Sequence, residues 1–228
     1  MIDIAYIVRD EIVDKMNNVI DVDSIAGNDI TISGCLKWAA ILKTVTDNIG
    51  DEYKITEIDR ANNVITVEPL GAYVFTGDIL NLNLPYFFTG TPMATNAEWL
   101  QFTDDERKKT PFIWMVELTT EQPFDAKNAG RIERKSDIRI VFLDTNNVEQ
   151  WLTLDTHDNR LQALYNMRSE FVRVINSNII FNSIDNSSVV NLTKFGTETS
   201  NGFEKNIIDS NLTGIDCRFT LSILRKCN

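Results

Sequence analysis

From Ile215 to Ile223 the chain alternates without a break. Ile215, Cys217, Phe219, Leu221 and Ile223 fall on one side, and Asp216, Arg218, Thr220 and Ser222 on the other. A side-chain period of two fits a β-strand with one covered face, so the fold must contain a sheet with something packed on it. A second alternation sets Ile138, Ile140 and Phe142 against Arg139, Val141 and Leu143, which marks Ser136–Leu143 as another strand.

Turn-forming residues divide the rest. Asp144-Thr145-Asn146-Asn147 predicts a hairpin from that strand into Val148–Leu154, and Thr213-Gly214 predicts a turn into the closing strand. Lys54–Ile58 and Val64–Val67 flank an Asn-rich turn and make a further hairpin. Strands are also expected around Ile179–Ile184 and Val189–Phe195, after a loop at Asn176–Asn178. Residues 30–45 suit either strand or helix, with the Ser33-Gly34 break favouring a strand on each side.

Two segments carry helical spacing. Ile4, Ile7, Val8, Ile12, Met16, Val19 and Ile20 predict a helix capped by Asp3 that stops near Asp21–Gly27. Asp155 or Thr156 is expected to cap a second, with Leu161, Leu164, Tyr165, Phe171, Val172 and Ile175 on one side. Runs of strands with few helices predict an α+β fold, an antiparallel sheet with two main helices packed on it.

The stretch 72–125 differs in kind. It holds Pro85, Pro92, Pro111 and Pro123 together with ten aromatic residues, and little clean periodicity. Such a stretch reads as a long excursion inserted into a discontinuous core domain formed by 1–71 and 126–228. Its rings need cover, from the parent domain or from another chain. Tyr86, Phe87, Phe88, Trp99, Phe112 and Trp114 are the expected anchors of a subunit interface, because aromatic side chains dominate interface energetics.

Charge and composition narrow the chemistry. Lys and Arg number 22 against 33 Asp and Glu, a net −11, which disfavours binding nucleic acid by neutralising phosphates. His157 is the only histidine, so no site can use two imidazoles of one chain. The three cysteines, Cys35, Cys217 and Cys227, are odd in number and form no C-x-x-C pair, so free thiols of a reducing compartment are expected. The charged N-terminal segment lacks a signal-peptide core, and no run reaches the length of a membrane span, so no membrane partner is expected. Asp104–Lys109 is acidic then basic, which reads as a solvated mixed-charge loop or helix, with an inter-subunit electrostatic contact as the alternative. Arg131, Arg134, Lys135 and Arg139 form a basic patch expected at a subunit contact, where Arg131, Arg134 or Arg139 would meet a carboxylate of the next chain, with Arg134 the one expected to govern assembly.

The best candidate for catalysis is Asp155-Thr156-His157-Asp158, which with Asp144 or Asp137 could ligate Mg²⁺ or Mn²⁺. The same residues also satisfy free amides at a helix start, and that is the preferred reading. Neither a phosphate-binding loop, a dinucleotide fingerprint nor a nucleophile elbow occurs. No catalytic residue, cofactor or metal is therefore expected.

One resemblance remains. Ser136–Leu143, the turn after it, the HDNRLQALYNMRSEFVRVI helix and the GIDCRFTLSIL strand resemble, in element order, the tail-terminator or tail-completion class of phage neck proteins. GTPMATNAEW and KTPFIWMVE resemble segments of neck and tail ring proteins of crAss-like phages. The 72–125 excursion departs from the compact terminator fold. The resemblance implies a virion subunit that closes, in roughly six or twelve copies, into a ring between portal and tail. Its neighbours would be the portal or adjacent ring and tail proteins, and DNA would pass through the bore without specific binding. An acidic chain permits that passage. The rival readings are a metal-dependent hydrolase using Asp155 and His157, and a monomeric binding or adhesin module.

Overall fold

A six-stranded barrel occupies the first part of the chain. The computed structural model describes residues 4–101, 110–122, 133–147, 152–195, 197–200, 203–206 and 211–224. Helix α1 (Ile4–Glu11) and a 3-10 turn (Val13–Lys15) lead into β1 (Val19–Ala26), β2 (Asp29–Ser33), β3 (Thr44–Thr46), β4 (Glu52–Asp59), β5 (Val64–Pro69) and β6 (Ile79–Leu82). The strands close in the order β1-β2-β5-β4-β3-β6, and every neighbouring pair is antiparallel. Their alternating buried residues, among them Ile20, Ile30, Ile32, Val45, Tyr53, Ile55, Ile65 and Leu80, fill the barrel.

Local chemistry sets the barrel's turns. In the β3–β4 turn, the Asp47 carboxylate accepts the amides of Ile49, Gly50 and Asp51 and the Tyr53 hydroxyl. Gly50 sits there at φ +95, where a side chain would be strained. In the β4–β5 hairpin, Asp59 accepts the amides of Ala61 and Asn62, with Asn63 left-handed at φ 54.

The first helix is shorter than its apolar spacing predicts. Met16 is already extended, at φ −66 and ψ 133, and Val19–Ala26 is a strand. Val19, Ile20 and Val22 are β-branched, and between two partners, β2 and β6, the extended chain gains ladder hydrogen bonds on both sides. Strand β2 ends at Ser33, but the next strand begins only at Thr44, with turns and irregular chain between them, while the hairpin between Lys54 and Val67 forms as read.

The second half builds a five-stranded sheet. Strand β7 (Tyr86–Thr89) crosses through α2 (Pro92–Gln101) to β8 (Phe112–Gln122), which runs parallel to it. β9 (Glu133–Thr145) follows, then α3 (Thr153–Thr156), a π-helical segment (His157–Leu161) and α4 (Gln162–Ser177). β10 (Phe181–Phe195), β11 (Thr197–Ser200), β12 (Phe203–Asn206) and β13 (Leu212–Leu224) complete the chain. The sheet order is β10-β13-β9-β8-β7, while among the described residues β11 and β12 pair only with each other.

Both faces of this sheet are apolar. Ile113, Met115, Ile140, Phe142, Cys217 and Phe219 join Leu164, Met167 and Phe171 of α4, and the barrel interior, in one core. Phe112, Trp114, Val141, Leu143 and Leu212 point the other way and meet Phe88 and Trp99 in a second, aromatic core. Trp99 lies 5.2 Å from Phe112 and 6.3 Å from Phe88, ring centre to ring centre.

The fold is thus α+β as expected, but its first sheet is a closed barrel rather than an open layer under two helices. The stretch 72–125 is woven into both sheets: β6 is a stave between β1 and β3, and β7, α2 and β8 build the edge of the second sheet. Open strand edges explain the difference, since without β6 the edges of β1 and β3 would lie unpaired.

Two turn assignments also change. No strand follows β9 at Leu152–Leu154, because β8 and β13 already occupy both sides of β9 and helix begins at Thr153; 148–151 lie outside the described residues. Thr213-Gly214 lies inside β13, where Gly214 pairs with Leu143 and Leu192. The expected Asn176–Asn178 loop begins only after Ser177, and the two strands read between Ile179 and Phe195 are one bulged strand.

A Cβ on Gly214 would lie 2.8 Å from the Phe142 carbonyl oxygen and 2.5 Å from Leu143 Cδ2. Gly214→Ala should therefore destabilise the protein by ~1–3 kcal/mol in denaturant unfolding; a change near zero would show that β9 yields at no cost. Burial, then the Asp47 charge, pushes the Tyr53 hydroxyl up from its ordinary 10.0 to about 12. The raised folded value makes its stabilisation complete below the unfolded value near 10 and lost as pH climbs through about 12. The unfolding midpoint should fall over that alkaline window, and Tyr53→Phe should flatten the fall.

Candidate functional site

The acid-and-histidine motif does not converge on a metal. Helix α3 starts at Thr153, and the Asp155 carboxylate accepts the Leu152 amide at 2.9 Å, reaching back to the helix start. His157 and Asp158 are exposed, with Nδ1 and Oδ1 3.3 Å apart. Asp137 accepts the Thr220 hydroxyl at 2.6 Å on the sheet. Among the described residues, no three His, Cys, Asp or Glu side chains are placed to hold a metal ion.

Asp144, the other proposed ligand, has a different task. It is 1% exposed and accepts Lys43 Nζ on Oδ1, while Arg160 Nε lies 3.4 Å from Oδ2. Lys43 Nζ also donates to the Thr110 hydroxyl at 2.5 Å, and Arg160 Nε donates to the Thr145 carbonyl at 3.0 Å. Lys43, Thr110 and Arg160 are buried as well. Barrel, sheet and helix head each contribute a charge to this junction. Burial pulls the Arg160 guanidinium below its ordinary range, and the Asp144 charge opposes that. The π-helical segment carries Arg160, and the Thr156 hydroxyl in the turn before it bonds the Asn146 side chain at 3.0 Å.

A cleft of about 820 Å³ opens between the barrel and the helix head. Its walls include Cys35, Glu57, Asp59, Arg60, Asp158 and Gln162. Arg60 spans it, donating to the Ala39 carbonyl at 3.1 Å and the Asp158 carbonyl at 3.3 Å. Burial lowers the Arg60 pKa. A cleft of this size falls within the range of small-molecule sites.

The cysteines divide by environment. Cys35 is free and exposed, and its sulfur accepts the Lys37 amide at 3.3 Å. Cys217 is free and buried in the sheet core, where desolvation pushes its thiol up to about 11. Cys227 lies outside the described residues.

The aromatic anchors expected at an interface lie largely inside the chain. Phe88, Trp99, Phe112 and Trp114 are at most 3% exposed, and Tyr86 and Phe87 are half-buried. Phe88, Trp99, Phe112 and Trp114 pack in the core on one face of the sheet and Phe87 packs on the other, so those four are interior side chains of their own chain and not ones held out to a neighbour. Trp114 Nε1 donates to the Gly90 carbonyl at 3.0 Å, so even its polar edge is satisfied internally. In the basic patch, Arg139 forms a two-pronged pair with Asp216 of its own chain, its Nε 3.0 Å from each oxygen. That bond raises the Arg139 pKa and uses the carboxylate expected from a neighbour. Arg134 stands opposite Ile223 in the β9–β13 ladder, its side chain outside the described part, and Arg131 and Asp104–Lys109 lie outside the described residues.

Sequence reasoning missed the Lys43–Asp144–Arg160 junction and the cleft. Lys43 and Asp144 are 101 residues apart, and no spacing along the chain links them. Comparison with known proteins finds neither a family model nor a curated relative that matches this chain.

Asp144→Asn removes the carboxylate and leaves two buried cations facing it. Unfolding free energy should fall by ~3–5 kcal/mol, while Asp158→Asn on the exposed helix head should change it by less than ~0.5 kcal/mol. Equal effects from the two would refute the junction's structural role.

Proposed function

We propose that this chain is a structural, non-catalytic subunit of a ring in the neck or tail of a tailed-phage virion, joining portal to tail around the DNA channel. One observation carries the reading: the two ends of the five-stranded sheet are unlike. At one end the β10–β13 hairpin runs on into the β11–β12 ribbon; at the other, the short strand β7 lies under α2. A closed ring is built from heterologous contacts, which require two different faces on each copy.

Two further features support it. The conspicuous chemical groups are occupied in structural contacts: Asp144 in the buried junction, Asp155 at a helix start and Cys217 in the core. The charge of −11, multiplied round a ring, repels phosphate and suits a bore through which DNA slides. No helix among the described residues is long and apolar enough to cross a membrane.

The rival with an observation in its favour is a binding module, because the cleft between barrel and helix is large enough to take a ligand. Sedimentation velocity separates the two readings. The purified protein should sediment as one discrete species of roughly six or twelve copies. A monomer at every concentration would reject the ring and leave the binding module standing.

A further inference from the structure

The cleft between barrel and helix head contains charges that the described chain leaves unanswered. Arg60 opens the β4–β5 turn and is half-buried there, with Nε and Nη2 donating to the Asp158 and Ala39 carbonyls. Among the described residues its Nη1 meets no acceptor, and no carboxylate pairs with the guanidinium. A cation drawn partly out of water without a counter-ion is costly, and burial lowers its pKa.

Glu57, three positions earlier, lines the same cleft. Its carboxylate is exposed, and among the described residues it meets neither Arg60 nor any other donor. The remaining acids of the lining are engaged locally. Asp59 accepts the amides of Ala61 and Asn62, and Asp158 Oδ1 lies 3.3 Å from His157 Nδ1. Asn63, Asn159 and Gln162 add side-chain amides that make no hydrogen bond among the described residues. Each offers both a donor and an acceptor, as a peptide group does.

The helical wall has an uncommon backbone. The π-helical segment His157–Leu161 gives Asp158 and Asn159 to the cleft, while Arg160 on the same turn lies 3.4 Å from Asp144 in the buried junction. Single π turns of this kind are frequent at functional sites.

We infer that the cleft binds a short zwitterionic peptide, its carboxylate on Arg60, its ammonium group on Glu57 and its peptide groups on the side-chain amides. The free N–H groups of Arg60 suit a carboxylate. A phosphate dianion is disfavoured, because Glu57, Asp59 and Asp158 outnumber Arg60 in the lining by three to one. A simple amine would leave Arg60 without a counter-ion and be repelled by it. A molecule with both charges answers both residues, and a cleft of about 820 Å³ has room for it. The inference goes beyond the ring reading and stands apart from it, since each copy carries its own cleft.

Triglycine, acetyl-triglycine and triglycine amide test this by isothermal titration calorimetry on the full chain. Triglycine should bind, and blocking either end should weaken it ~10-fold, the loss of one charge-assisted hydrogen bond. Arg60→Gln should weaken triglycine by a similar factor and leave triglycine amide unchanged. Glu57→Gln should do the same for triglycine and leave acetyl-triglycine unchanged. Cys35, which lines the cleft and is exposed, reports where the ligand sits. Saturating triglycine should slow its alkylation by iodoacetamide, read at that residue by mass spectrometry. Triglycine that does not bind, blocked peptides that bind equally well, or a Cys35 left unprotected overturns the inference, and none of these results bears on whether the chain forms a ring. Should Arg60→Gln fail to fold, Glu57→Gln at its exposed position decides, by losing or keeping the preference for a free amino terminus.

Discussion

The Asp144 carboxylate is the fixed point to which the rest of the structure is referred. It sits at the end of β9, almost out of reach of water, and receives Lys43 from the barrel and Arg160 from the helix head. In a low-dielectric interior a carboxylate is tolerable only with its partners in place, and each cation there depends on it in turn. Apolar packing holds barrel and sheet together but is indifferent to small rotations. A charged junction with one good geometry is not, so it fixes the angle at which the two halves meet.

From that joint the sheet divides the molecule into two chemically different cores. On the barrel side the filling is mostly aliphatic, with Phe142, Phe171 and Phe219 edge to face or tilted among leucines and isoleucines. On the far side it is aromatic, with Phe88, Trp99, Phe112 and Trp114 edge to face or tilted. The alternation in β8 explains how four consecutive large residues are accommodated: Phe112 and Trp114 go one way, Ile113 and Met115 the other.

Periodicity was readable wherever one partner decided the outcome. The Ile215–Ile223 strand, the hairpin around Asn62 and the Leu161–Ile175 helix side all stand where their spacing puts them. It failed where a distant partner overrode a local preference. Val19-Ile20 continues a helical stripe on paper, yet strand β6 pairs with it and β2 takes up the same strand from Asp21 onward. The aromatic stretch had no period because its residues serve four elements in turn, a barrel stave, an edge strand, a crossover helix and an inner strand. Of the candidate sites, Asp155 could be placed because a helix start is local chemistry. The junction of Lys43 with Asp144 and the cleft behind Arg60 exist only once the halves have met.

The barrel's closing stave has a consequence for synthesis. β1 pairs with β6 through Ile20 and Leu80, sixty positions apart, so the barrel cannot shut until the ribosome has released residues well beyond the β4–β5 hairpin. Until then β1 and β3 expose two raw edges, and the nascent chain is at its stickiest. Lys43 waits longer still, since Asp144 follows 101 residues later. During that interval its ammonium group lacks that carboxylate, and burying it would be costly. The barrel is finished from outside, by a part of the chain made long after it.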